Sequence, residues 1–263
     1  MIPQIHITDW SAFVPWQTNE QIEQDLVISR ALVEIFRDDF LAQKLAFRGG
    51  TALHKLFIQP QPRYSEDIDL VQIEPSPIGE VLDRLRKALN FIEGKTNLDK
   101  GDSMTTLIYK FQSEIQPVSP LKLKIEINCR EHLIELGWLK KKFKVESDWY
   151  KGECDITTYQ LEELLGTKLR ALYQRRKGRD LYDLYKVLTS VEVNKSEIIH
   201  CFKSYIRFST NKVPSQKEII NNMEAKMKHD DFLGDITALI RQEEKYDQNK
   251  AYELIRKELI EKI

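Results

Sequence analysis

An alternating segment, LKLKIEIN at residues 121–128, constrains the fold more than any other stretch of the chain. Its apolar and polar residues form two sets at a spacing of two: Leu121, Leu123, Ile125 and Ile127 against Lys122, Lys124, Glu126 and Asn128. In a β-strand, successive side chains point to opposite faces, so each set occupies one face. The segment therefore predicts a strand in a sheet that buries one face and presents the other to water or to a ligand.

The rest of the chain divides into a mixed part and a helical part. Apolar spacing predicts helices over residues 21–40, 51–57 and 78–92, with Thr51 capping the second. Strands are predicted over residues 45–47, 67–73 and 105–111, and a helix, a turn and a mixed strand lead to about residue 158. From residue 161 onward helical periodicity dominates. At 263 residues, the chain is long enough for two domains. We predict an α+β protein with a mixed sheet flanked by helices over residues 1–155 and a mainly helical domain over residues 156–263.

Composition narrows the class of protein. A net charge of −1 argues against a histone-like polycation but leaves room for a local basic surface. The sequence has neither an apolar run of about 20 residues nor a secretory leader pattern, so we expect a cytoplasmic protein without membrane association. Three widely separated cysteines, Cys129, Cys154 and Cys201, indicate neither a disulfide framework nor a zinc site.

A pair of carboxylates, Asp67 and Asp69 in RYSEDIDLVQ, is the main chemical signal. At a spacing of two on a strand, both point to one face, while Ile68 and Leu70 form the buried face. Clustered carboxylate oxygens suit Mg²⁺ or Mn²⁺, which keep positions open for phosphate. Glu126 is the predicted third ligand if a neighbouring strand brings it close; a solvated position between lysines is the alternative.

A glycine pair, Gly49-Gly50 in FRGGTALHKLF, stands upstream of the carboxylates. It can bring backbone N–H groups to a phosphate where a helix begins, or it can simply serve a strand-to-helix turn that needs positive φ. The spacing is not that of a P-loop. Lys55, on the following helix, is either a phosphate contact or an ordinary exposed lysine. Arg63 and Ser65 add an anion-binding cation and a small hydroxyl.

The string GGTALHK followed by RYSEDIDLV resembles the AbiEii/AbiGii family of nucleotidyltransferase toxins, in the polymerase-β-like superfamily. The resemblance implies a nucleotidyltransferase-like first domain in which Gly49, Gly50 and Thr51 contact a nucleoside triphosphate. It also implies that Asp67 and Asp69 bind the metal, and that a later strand carboxylate, here Glu126, completes the site.

A second segment, LEELLGTKLRALYQRRKGRDLYDLYKV at residues 161–187, extends the resemblance. Lys168 lies at the edge of an inward leucine stripe, where it meets either a nucleotide phosphate or a structural carboxylate. Asp180 shares a helix face with Asp183 and is the activity-linked residue that the family implies, so the helical domain would carry the second half of the active site. Arg179 and Asp183 are spaced for a routine surface pair. The basic runs at residues 175–179 and 140–144 are either solvated or part of an RNA-binding surface.

The resemblance implies a Mg²⁺-dependent nucleotidyltransferase toxin of a toxin–antitoxin or abortive-infection system active in phage defence. It would transfer NMP from an NTP to an acceptor, with the tRNA 3′ end favoured, and have a cognate antitoxin as partner. The predicted catalytic residues are Asp67, Asp69, Lys168 and Asp180, and the predicted nucleotide contacts are Gly49, Gly50, Thr51, Lys55, Arg63, Ser65 and Lys168. Two alternatives stay open: an inactive nucleotide- or RNA-binding module, and a transferase acting on a protein or small-molecule hydroxyl.

Overall fold

The computed structural model describes residues 2–241 and 243–263 and divides into two compact units. The first runs to Ile134 and resumes at Trp138–Tyr159; the second comprises Glu135–Gly137 and Gln160–Ile263. No helix within the described ranges is both long enough and apolar enough to cross a lipid bilayer.

A seven-stranded mixed sheet, ordered β3-β4-β5-β2-β1-β7-β6, forms the centre of the first unit. Its strands are β1 Leu45–Arg48, β2 Asp67–Gln72, β3 Lys95–Lys100, β4 Met104–Gln112, β5 Pro120–Asn128, β6 Trp138–Glu146 and β7 Lys151–Tyr159. β2 runs parallel to β5 and antiparallel to β1, whereas β1 runs parallel to β7. The predicted α+β class is confirmed.

Helices of the first unit pack against this sheet and against one another. They are α1 Gln4–Trp10, α2 Asn19–Arg37, α3 Asp39–Lys44, α4 Gly49–Leu56 and α5 Gly79–Ala88. The long α2 packs against β5, β6 and β7 and is buried along most of its length. Our single predicted helix over residues 21–40 is instead two, because Asp38 adopts an extended conformation and its Oδ1 caps α3 by accepting from Phe40 N and Leu41 N.

One sequence prediction for this unit is wrong, and one strand was not predicted. Residues 138–159 form the antiparallel hairpin β6–β7 rather than a helix followed by a turn and one strand. Every residue of the edge strand β3 is exposed, so it lacks the buried alternation by which a strand is recognised in a sequence. Pairing with β4, and not burial of its side chains, makes β3 a strand.

The second unit is helical within the described residues. Its helices are α6 Leu161–Gln174, α7 Gly178–Ser190, α8 Lys195–Thr210, α9 Gln216–Lys226, α10 Asp230–Gly234 and α11 Gln248–Glu258, followed by a 3₁₀ turn at Ile260–Lys262. α6 packs most extensively against α8, and Gly166 permits this approach because a Cβ there would overlap Cys201 of α8. Leu165, Leu169 and Leu172 of the predicted stripe are buried.

Candidate active site

The carboxylates of β2 lie on the polar face of the sheet. Asp67 and Asp69 are half-buried, and they alternate with the fully buried Ile68 and Leu70. In the parallel register with β5, Asp69 stands directly beside Glu126. Side chains of directly paired residues share a face, so the three carboxylates form one group, which we call the carboxylate face.

A glycine is required where the chain leaves β1 and begins α4. Gly49 has a φ of +81°, in the left-handed region that disfavours residues with a Cβ. A Cβ at this position would also overlap the carboxylate of Asp69. The N-terminus of α4, which carries a partial positive charge, therefore lies next to Asp69. The backbone N–H groups of a helix N-terminus are suited to binding an anion.

Two hydroxyl groups connect α4 to the start of β2. The prediction that Thr51 caps its helix is wrong. Thr51 lies buried inside α4. Its Oγ1 donates to the Asp67 backbone carbonyl at 2.5 Å and lies 2.8 Å from Ser65 Oγ. Thr51 and Ser65 therefore fix the position of the residue that carries the first carboxylate.

The side chains of Lys55 and Arg63, two of the predicted phosphate contacts, are buried in this structure. The Lys55 side chain is 3% exposed, and its Nζ donates to Asp25 Oδ2 at 2.9 Å and to Ser29 Oγ at 3.0 Å. Arg63 is 2% exposed and donates from Nη1 to the Tyr64 carbonyl. Lys55 is therefore not the exposed lysine of our alternative, and the contact of either cation with a nucleotide stays a prediction.

A cation that sequence reasoning missed lies beside the carboxylate face. Arg48, the last residue of β1, is paired with Asp69 in the antiparallel register of β1 and β2. Its Nη1 lies 2.7 Å from Glu131 Oε1, and its guanidinium lies over the Tyr159 ring. The available signal was its place immediately before the glycine pair, which puts it on the same turn.

In the second unit, Lys168 is enclosed by acidic side chains. Its Nζ lies 3.1 Å from Asp180 Oδ1 and 2.8 Å from Asp183 Oδ2, and both carboxylates are 0% exposed. Arg175 donates to both oxygens of Asp180, at 2.7 and 2.8 Å. Burial by itself would raise the pKa of Asp180, but the two cations outweigh it and hold the pKa below its ordinary range.

This arrangement matches the structural-carboxylate alternative for Lys168; its contact with a nucleotide stays a prediction. Arg179 does not form the expected surface pair with Asp183. It binds Asp235 instead, through two hydrogen bonds of 2.9 Å from its guanidinium. The charged residues of α7 thus belong to two separate groups: Asp180 and Asp183 bind Lys168, whereas Arg179 binds Asp235.

The residue types and the strand register of the carboxylate face suit a hard divalent cation. Asp67, Asp69 and Glu126 offer carboxylate oxygens from adjacent strands, which Mg²⁺ and Mn²⁺ prefer. Among residues 2–241 and 243–263, no three His, Cys, Asp or Glu side chains are already arranged around a metal position.

Known structures share this fold. JHP933 from Helicobacter pylori aligns over 94% of both chains with 20% sequence identity and a TM-score of 0.55. MenT4, the nucleotidyltransferase toxin Rv2826c from Mycobacterium tuberculosis H37Rv, aligns over 76% of this chain and 69% of its own, with 15% identity and a TM-score of 0.55. At these identities the likeness concerns the fold. No curated protein sequence matches the chain.

The family follows from the sequence itself. The model of the family described as "Nucleotidyl transferase AbiEii toxin, Type IV TA system" matches residues 30–255, which cover most of each unit. The carboxylates, the glycine turn and the Lys168 cluster all lie within the matched residues. This chain belongs to the AbiEii family of nucleotidyltransferase toxins.

Proposed function

We propose that this protein transfers a nucleoside monophosphate from an NTP to the 3′ end of an RNA, with tRNA as the favoured acceptor. The transfer depends on Mg²⁺ and serves a toxin that is countered by a cognate antitoxin. The observation that carries the proposal is the carboxylate face, where Asp67, Asp69 and Glu126 meet beside the backbone turn at Gly49. Metal-dependent nucleotidyl transfer needs such a group of oxygen ligands next to an anion-binding backbone.

The residues of the first unit have three roles: binding the metal, binding the phosphates and positioning the carboxylates. Asp67 and Asp69, with Glu126, hold the divalent cation, which supplies positive charge to the triphosphate and to the leaving group. The backbone N–H groups at the start of α4 bind the phosphates. Thr51 and Ser65 hold the strand that carries Asp67, so the carboxylates keep a fixed position relative to the turn.

In the reaction, the acceptor hydroxyl oxygen forms a bond to the α-phosphorus. The bond from that phosphorus to the bridging oxygen of the β-phosphate breaks, and pyrophosphate leaves with its electron pair. The hydroxyl proton passes to a carboxylate of the carboxylate face. Asp180 is a poor base for this step, because its lowered pKa and its ion pairs with Lys168 and Arg175 leave it little affinity for a proton.

The test compares two pairs of alanine substitutions. Asp67→Ala/Asp69→Ala removes the carboxylates of β2. Glu153→Ala/Asp155→Ala removes two exposed acids at the same spacing on β7 and is the matched control. With labelled NTPs, Mg²⁺ and total tRNA, we expect the control to label tRNA like the unaltered protein. The site variant should lose about a thousandfold or more of the rate.

Metal binding gives a readout that does not need the acceptor. Mn²⁺ titration followed by electron paramagnetic resonance should show binding to the unaltered protein and to the control, and its loss in the site variant. Equal transfer by the site variant and the control would contradict the proposal. Label on protein or on a small molecule would reassign the acceptor, and Mn²⁺ and NTP binding without transfer to any acceptor would indicate an inactive module.

A further inference from the structure

Three lysines stand side by side across three neighbouring strands of the sheet. Lys95 of β3 pairs with Lys110 of β4, and Lys110 pairs with Lys122 of β5. All three are exposed. We call this set the lysine row. Since neighbouring strands lie about 4.8 Å apart, the row places three ammonium groups along roughly 10 Å of the sheet.

The lysine row continues onto the face that carries the catalytic carboxylates. Along β5, Lys122, Lys124 and Glu126 occupy alternate positions and share one face. Lys124 stands beside Asp67 in the register with β2, as Glu126 stands beside Asp69. Lys122 and Glu126 are four positions apart along the strand, a distance of about 13 Å. A ligand lying on the row can therefore extend directly to the carboxylate face.

The charges of these lysines are not neutralised within the described part of the chain. Lys95, Lys110, Lys122 and Lys124 have no carboxylate oxygen within 4.0 Å of the ammonium group there. Like charges that face each other across strands destabilise a sheet. The free protein thus carries an electrostatic cost that a polyanion would remove.

A cavity of about 1110 Å³ opens at the end of the sheet beside the lysine row. The lysines that line it come from the strands, whereas the acids come from α2 and from the connections around the sheet: Glu20, Glu66, Glu93 and Glu114. Phosphates are attracted to the strand side of this opening and repelled from its remaining rim. This charge pattern favours a path along the sheet face rather than into the cavity.

We propose that the lysine row binds the phosphodiester backbone of the acceptor RNA strand and leads its 3′ end to the carboxylate face. The inference rests on the proposed RNA acceptor and locates where that acceptor binds. Surface lysines act as point charges on phosphate and read no bases. Binding at this surface is accordingly tolerant of sequence and strongly dependent on salt.

The experiment compares two triple substitutions of exposed lysines. Lys95→Gln/Lys110→Gln/Lys122→Gln neutralises the row. Its matched control neutralises three exposed lysines on helices α5, α9 and α11: Lys87→Gln/Lys217→Gln/Lys257→Gln. The two variants have the same net charge, so an effect of overall charge is equal in both.

Affinity for a short, labelled, single-stranded RNA is measured by fluorescence anisotropy over a series of salt concentrations. We expect the row variant to bind about tenfold more weakly or worse at low salt. Its slope of log affinity against log salt should fall by about 2, because each of three contacts on a single strand contributes about 0.7. The control should keep the affinity and slope of the unaltered protein. Melting temperature should not fall in the row variant, because its substitutions remove repulsion.

Unchanged RNA binding by the row variant would overturn this inference, and so would an equal loss in both variants. Absence of RNA binding by the intact protein at low salt would do the same. The proposed function fails separately. If the intact protein binds RNA through the lysine row but transfers no nucleotide to any acceptor, only that function is lost. If it transfers nucleotide while the row variant still binds RNA normally, only the lysine row is rejected.

Discussion

Lys55 in the first unit and Lys168 in the second are both predicted from the sequence to contact a nucleotide phosphate. Both are buried, but their surroundings differ. Lys55 has one carboxylate partner, Asp25, which also accepts at 3.1 Å from the indole N–H groups of Trp10 and Trp16. Lys168 has two carboxylate partners, and one of them is shared with Arg175, whose side chain is 54% exposed. The first cluster is almost wholly buried and lines a cavity of about 220 Å³, whereas the second includes a half-exposed cation.

This difference in surroundings indicates a different role for each buried lysine. In the first cluster Trp10, Trp16 and Lys55 all donate to Asp25, and these hydrogen bonds join α1, α2 and α4. In the second, two cations balance two anions, and Arg175 can leave Asp180 at a lower cost because it is already half in water. The first arrangement indicates a structural role for Lys55. In the second, the half-exposed Arg175 can exchange Asp180 for an anionic ligand.

The largest expected effect is that of Lys55→Met. It leaves Asp25 buried without its cation, so we expect the free energy of unfolding to fall by about 3–5 kcal/mol. Urea denaturation measures this, with Lys87→Met at an exposed position of α5 as control. NTP affinity of the folded protein should not change. A stable variant with weakened NTP binding would mean that Lys55 contacts phosphate after all.

A smaller loss of stability is expected for Lys168→Met. Asp183 loses its contact with Lys168, but Arg175 stays beside Asp180 and balances part of the charge of the two carboxylates, so we expect a fall of about 2–3 kcal/mol in the free energy of unfolding. The control is Lys257→Met, an exposed position on α11. A loss as large as that of Lys55→Met would remove the distinction between the two clusters.

Acid should weaken the second cluster through Asp180. Its folded-state pKa is lowered, so its ion pairs contribute stability above the ordinary value of 3.8. That contribution is lost as pH falls through the lower folded-state value. Urea unfolding from about pH 5 down to about pH 2 should therefore show a steeper decline in the unaltered protein than in Asp180→Asn. Parallel curves for the two proteins would contradict the assigned shift.

The smallest expected effect on stability is that of Arg175→Gln. Because its side chain is half-exposed, we expect less than about 1 kcal/mol from its removal. Arg176→Gln, at a similarly exposed position with a longer ion pair, is the control. If Arg175 responds to a ligand, transfer activity should fall in this variant while unfolding barely changes. Unchanged transfer would make the second cluster structural as well.

The carboxylate pair, the glycine turn and the alternation of β5 were readable in the sequence because they depend on neighbours a few residues apart. Strand periodicity determines that Asp67 and Asp69 share one face of their strand, and that Lys122, Lys124 and Glu126 share one face of theirs. The same local signals misled where they were incomplete: β3 buries nothing, and the predicted helix before residue 158 is the β6–β7 hairpin.

Sequence by itself determined the family, the α+β class and the type of chemistry, because these follow from short motifs and from periodicity. Tertiary structure decided which charges are available to a ligand. Asp25 lies 30 residues from Lys55, and only packing of α4 against α2 makes the two a buried ion pair. Likewise, Lys95, Lys110 and Lys122 become one row only through strand register, since the hydrogen-bonded pairing of distant segments places them together.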